Sequence, residues 1–182
     1  MLTVLLGGAR SGKSALAVEW GRAHELGGGA VQFLATAPGS DASMSGRIER
    51  HRLERPEWPT IEEAHELPAA LKDADERALL IVDCLTLWVS NLMRRGDSED
   101  GILDATSRSV AAACARSGHT VVISNEVGLG IHPRSELGRD YRDLLGRVNG
   151  LFAAASGRAL FLVAGRVLEL HVADQFPLET ER

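Results

Sequence analysis

Only two cysteines occur in the 182 residues, and Cys84 and Cys114 show no C-x-x-C spacing and no histidine cluster. That pattern excludes a disulfide framework or a cysteine zinc site and suits two buried thiols of a reduced compartment. An excess of positive charge is also lacking. The formal net charge is −5, so nothing draws the whole chain toward nucleic acid or an anionic membrane. No apolar run reaches the roughly 20 residues of a membrane span. Repeats and low-complexity tracts are absent. So is any Asn-Lys-x-Asp guanine-specificity sequence, which ranks a GTP switch acting by binding alone below an enzyme. The first residues read as a strand and a glycine loop rather than a signal peptide. These absences lead to the expectation of a cytoplasmic protein with no membrane span and no nucleic-acid partner.

What is present begins at once. The apolar run Leu2–Leu6 is followed by Gly7-Gly8-Ala9-Arg10-Ser11-Gly12-Lys13-Ser14, a G-x-x-x-x-G-K-[ST] phosphate loop. Glycines let the backbone turn tightly and approach phosphates. The helix that follows offers free N–H groups and a positive dipole end to an anion. In such a loop Lys13 reaches the β- and γ-phosphates and Ser14 ligates Mg²⁺.

Apolar residues make up 45% and charged residues 25% of the chain, ordinary values for one globular domain. Near-continuous apolar runs at 31–36, 78–83, 120–124 and 159–164 follow the first strand, and 167–172 adds an edge strand. Helical patterns fit 13–26, 43–55, 67–74, 85–95, 100–117 and 136–155. This alternation predicts an α/β fold of the P-loop NTPase kind, a mostly parallel sheet with helices on both faces. One domain is expected over 1–172, with a loosely held tail at 173–182.

Asp83 ends the third apolar run. A carboxylate at that sheet edge is suited to organise Mg²⁺, and equally to cap the helix starting near Leu85. Residues 47–56 carry four arginines around His51. On a helix Arg47, His51 and Arg55 share a face, where cations keep the imidazole neutral and hold phosphates. That face is either a nucleophile's setting or a solvated basic surface. Pro56 and Pro59 shape a loop after it, with Trp58 suited to stack on a base or to plug the core, and Glu62 to meet a guanine edge or water. Past the fourth run, Asn125 and Glu126 can orient a hydroxyl or Mg²⁺, and Arg139, Arg142 and Arg147 suit either a phosphate clamp or, for most of them, surface ion pairs with Asp140 and Asp143.

Gly7–Ser14, Arg47-Ile48 with His51, Arg55-Pro56 with Trp58, Thr60 and Glu62, Asn125-Glu126-Val127-Gly128 with Gly130-Ile131 and Pro133, and Arg142-Asp143 with Gly146–Asn149 occur together and in order. This combination resembles the bifunctional adenosylcobinamide kinase / adenosylcobinamide-phosphate guanylyltransferase family of cobalamin biosynthesis, from about residue 2 to about residue 170. The resemblance implies two reactions. A hydroxyl of adenosylcobinamide takes the γ-phosphoryl of ATP or GTP. GTP then loses pyrophosphate to a histidine, matched by His51, and the GMP passes to the cobinamide phosphate. The family's nucleotide contacts map onto Gly7–Ser14, Ala35-Thr36-Ala37, Arg52-Leu53-Glu54-Arg55, Glu62 and Asp83, with Ser14 and Asp83 at Mg²⁺. A homo-oligomer, a trimer, is implied as well. The sequence departs from the pattern at Asp83, where relatives also carry Glu, and at Gly150, where many carry Gln. The alternative is a single-activity P-loop kinase without a covalent intermediate.

Overall fold

The computed structural model describes residues 1–37 and 56–172. Among them, seven strands form one sheet: β1 (Leu2–Gly7), β2 (Val31–Ala35), β3 (Thr60–Glu62), β4 (Leu79–Asp83), β5 (Thr120–Ile123), β6 (Arg158–Val163) and β7 (Arg166–Leu170). The five described helices are α1 (Lys13–Leu26), α2 (Leu67–Asp73), α3 (Leu85–Arg95), α4 (Glu99–Ala115) and α5 (Glu136–Ala155). Strand order is β3-β2-β4-β5-β1-β6-β7. All neighbours pair in parallel except β6 and β7, which form an antiparallel hairpin. The expected parallel α/β sheet is therefore present. The helix expected at 43–55 and the tail at 173–182 lie outside the described residues.

The apolar runs are continuous because the sheet is covered on both faces. Leu5, Phe33, Ile81, Val121 and Ile123 pack with Ala17 of α1 and with Trp58. Val4, Leu6, Leu34, Leu80, Val82 and Val122 point the other way, into Leu71 of α2, Trp88 and Leu92 of α3, Ile102 of α4 and Leu145 and Phe152 of α5. Successive strand residues thus feed two cores, as the two-residue strand period requires.

Trp58 is a core residue, which removes the base-stacking reading. It is buried, and its Nε1–H donates to Glu25 Oε1 at 3.1 Å. Its ring lies over Gly21 of α1, where a Cβ would meet Cη2 at 2.4 Å. Gly21→Ala gains about 1 kcal/mol of helix propensity but overpacks a ring fixed at both ends, a cost of about 1–3 kcal/mol. The expected result is a lower urea midpoint at unchanged slope; a raised midpoint would show that the ring yields freely.

The cysteines differ from expectation in one respect. Cys84 is buried, but Cys114 is exposed, because it falls one step past the buried positions Ala112 and Ala113 of α4. A three-residue strand, β3, stands where the prolines suggested only a loop. It is an edge strand paired on one side to β2, so it needs no apolar run.

Candidate functional site

Two glycines shape the loop between β1 and α1. Gly7 has φ +147°, and a Cβ there would sit 2.3 Å from the Leu162 carbonyl oxygen of the neighbouring strand. Gly12, the residue before α1, has φ +105°, a left-handed conformation that glycine adopts without strain. Gly8, Ala9 and Arg10 are exposed, and Ser11 is buried. The loop is also pinned from the far end of the chain: the Gly165 N–H, in the β6–β7 turn, donates to Ser11 O at 3.0 Å.

The helix ends are not alike. Ser98 and Ser135 cap α4 and α5 by accepting from Gly101 and Gly138 N–H, each at 3.2 Å. The start of α1, like those of α2 and α3, has no side-chain cap and no acidic residue in its first turn, and it alone of the three follows the glycine loop. Its N–H groups and positive dipole end point to the loop, as an anion site needs.

Lys13 is buried at 6% exposure. Its Nζ donates to Gly7 O at 2.8 Å, Gly8 O at 2.7 Å and Asn125 Oδ1 at 2.8 Å, with Ser11 Oγ more distant at 3.4 Å. These oxygens are neutral, so none of them cancels the ammonium charge that a phosphate at the mouth of the loop would meet. Ser14 Oγ donates to Asp83 Oδ2 at 3.2 Å. Asp83 does not cap α3; Cys84 occupies that position, without a side-chain bond. Two oxygens at this spacing match neighbouring corners of an octahedron with bonds of about 2.1 Å, so Ser14 and Asp83 could hold one Mg²⁺. Among the described residues no group of three or more His, Cys, Asp or Glu gathers as a metal site.

Cys84, beside Asp83, is a buried thiol. Burial, and after it the negative charge of Asp83, pushes its thiol up to about 12. Its main chain is instead tied to the exit of β2. Thr36 is fully buried, donates from Oγ1 to Cys84 O at 2.7 Å and accepts from the Cys84 N–H at 2.8 Å. Asn91 Nδ2 adds a bond to Thr36 O at 2.8 Å. Ala35-Thr36-Ala37 thus lies beside the phosphate-side carboxylate, with the Thr36 hydroxyl turned into this joint. Sheet register pairs Ala35 with Glu62 on one side and with Asp83 on the other. One row across β3, β2 and β4 therefore carries the exposed Glu62 and Asp83, roughly 10 Å apart at two strand spacings. The next residue, Glu63, serves its own turn, where its Oε1 accepts from His65 and Glu66 N–H. Burial opposes that carboxylate's charge, but these donors outweigh it and lower its pKa.

The structure thus gathers Gly7–Ser14, Ala35-Thr36-Ala37, Glu62 and Asp83 along the carboxyl edge of the sheet, where open α/β sheets bind ligands. His51, Arg52, Leu53, Glu54 and Arg55 lie outside the described residues. Arg142 pairs with Asp143 at 2.8 Å and meets His132 Nδ1; Arg147 pairs with Glu99; Arg139 donates to Arg134 O. Arg142 thus makes the expected ion pair with Asp143, Arg147 pairs with Glu99 of another helix instead, and Arg139 bonds main-chain carbonyls. Asn91, Thr86 and Gly165 were not legible as site-supporting residues. For Asn91 a signal existed: an amide on the buried face of α3.

Residues 3–170 match the family described as cobinamide kinase / cobinamide phosphate guanyltransferase. This chain belongs to that family. It is accordingly an enzyme of a family named for two transfers, one of a phosphoryl and one of a guanylyl group. Among similar proteins, the bifunctional adenosylcobalamin biosynthesis protein CobP of Pseudomonas aeruginosa is 40% identical over 174 residues, covering 93% of this chain and 97% of the relative. The bifunctional adenosylcobalamin biosynthesis protein CobU of Escherichia coli is 36% identical over 181 residues, covering 91% of this chain and 97% of the relative. Solved structures share the fold at low identity. The flagellar accessory protein FlaH from Methanocaldococcus jannaschii has a TM-score of 0.53 at 12% identity, covering 91% of this chain and 74% of that one. A second solved structure, an ATPase domain, has a TM-score of 0.52 at 13% identity, covering 99% and 72%.

Proposed function

We propose that this chain carries out both family reactions on one nucleotide site. It phosphorylates a hydroxyl of adenosylcobinamide with ATP or GTP, then transfers GMP from GTP to the cobinamide phosphate through His51. The observation that carries the reading is Lys13, a buried ammonium at the head of an uncapped helix, in a chain whose family match spans 3–170.

In the kinase step the acceptor oxygen bonds to the γ-phosphorus, the β–γ bridging P–O bond breaks, and the nucleoside diphosphate leaves. In the transfer step a ring nitrogen of His51 bonds to the α-phosphorus and pyrophosphate leaves. A phosphate oxygen of the cobinamide phosphate then takes the GMP as the P–N bond breaks. Lys13 and the α1 N–H groups hold phosphate charge in both steps. Ser14 and Asp83 would hold Mg²⁺, which when bound supplies charge neutralisation at the phosphates. Glu62 is assigned to the guanine edge, and Arg52–Arg55, with the Ala35–Ala37 exit, to the nucleotide.

The test is self-labelling. Protein incubated with α-labelled GTP and Mg²⁺, then denatured, should retain label in an acid-labile bond. If the chain never labels while cobinamide is still phosphorylated, the single-activity kinase reading stands instead.

We also propose that the chain is a cytoplasmic homo-oligomer, a trimer. Both cysteines are free thiols, which suits a reduced compartment. Self-association is supported by the β6–β7 hairpin, an open sheet edge on which Val163, Val167, Leu168 and Leu170 are exposed. Leu168→Glu is expected to shift the mass measured by light scattering toward the monomer; an unchanged mass would place the interface elsewhere. No described helix is long and apolar enough to cross a membrane.

A further inference from the structure

We propose that Asn125 is the positioning residue for Lys13, and that Asn149 acts through Asn125. An ammonium has three hydrogens. Among the short contacts of Lys13 are two carbonyls of the phosphate loop and a side-chain oxygen, Asn125 Oδ1, brought from the exit of β5. The loop carbonyls draw the ammonium back toward β1; Asn125 draws it across the mouth of the loop, toward the exit of β5.

Asn125 is itself fixed from both sides. Its N–H donates to Thr86 Oγ1 at 2.8 Å, and its carbonyl accepts from Asn149 Nδ2 at 3.0 Å. The phenol of Tyr141 donates to Thr86 O at 3.0 Å. Burial, and after it the nearby Cys84, pushes that phenol's pKa up, so it stays a donor. Helices α3 and α5 thereby hold the peptide groups on both sides of one residue. Asn149 is 4% exposed, and its Oδ1 is among the buried side-chain atoms with no hydrogen-bond partner. A half-satisfied amide on the apolar face of a helix is costly. Its bond to Asn125 accounts for its place there.

The inference rests on the reading of Lys13 as the phosphate-binding cation, and the test keeps the two apart. GTP affinity, measured by calorimetry, needs neither corrinoid nor His51. Single-turnover rates with labelled GTP supply the second readout. Asn125→Ala is expected to weaken GTP binding severalfold and to slow both reactions about tenfold to a hundredfold, the size of one hydrogen bond to a charged group. In a Lys13→Ala background the same substitution should change neither readout by more than about twofold. Asn149→Ala should slow both reactions by a smaller, equal factor, and that loss should vanish when Asn125 is already Ala. Equal thermal melts establish that each variant is folded. Losses that simply add across the cycle would overturn the proposal, as would an Asn149→Ala enzyme that melts earlier but turns over at the wild-type rate. If GTP binding shows the coupling while no corrinoid is modified, the positioning role stands and the two-reaction reading falls.

Discussion

Lys13→Ala should lose about a hundredfold to a thousandfold in both reactions, the range for removing one preorganised charge donor at a reacting phosphate or oxyanion. The ammonium is a cation that the fold brings to the head of α1, and under the proposed function it serves whichever phosphorus is attacked. The variant should still fold. Of the oxygens it abandons, Gly7 O keeps a bond from the Glu126 N–H at 3.1 Å, Gly8 is exposed and Asn125 is half-buried, so water can reach the latter two. Lys13→Arg is expected to fare little better. A planar guanidinium cannot place one nitrogen among three oxygens that lie within 2.8 Å of a single point. Steady-state rates with each acceptor, alongside a thermal melt, check this. Near-wild-type turnover in Lys13→Ala would remove the phosphate loop from the chemistry.

His51→Ala should separate the reactions that Lys13→Ala reduces together. Self-labelling by α-labelled GTP should fall below detection, because the P–N bond cannot form without the ring. Phosphorylation of cobinamide should stay within about threefold, since that step uses no protein nucleophile. A variant that still labels would move the nucleophile to another side chain. Cys84 is a poor candidate for it, with a thiol held neutral by burial beside Asp83. A variant that loses both reactions together would mean that His51 serves the shared nucleotide site rather than one transfer.

The parallel sheet was legible because its strands are buried on both faces, and such strands read as unbroken apolar runs. Edge strands obey no such rule. Thr60–Glu62 is only partly buried and lies among prolines, so its pairing with β2 left no trace in composition. At the site, the phosphate loop declared itself through local spacing, which a sequence displays directly. The Asp83 alternative, cap or metal ligand, could not be decided locally. That Cys84 rather than Asp83 sits at the head of α3, and that Ser14 comes within 3.2 Å of Asp83 from another element, are facts of the fold. The Thr36–Cys84–Asn91 joint was illegible for the same reason, since each partner is ordinary alone. Cys114 departs from expectation because cysteine is usually buried, whereas its position on α4 follows helix phase rather than residue type.

The bond from Gly165 N–H to Ser11 O joins the end of the described chain to its beginning. Anything that shifts the β6–β7 turn would therefore reach the first loop through that bond.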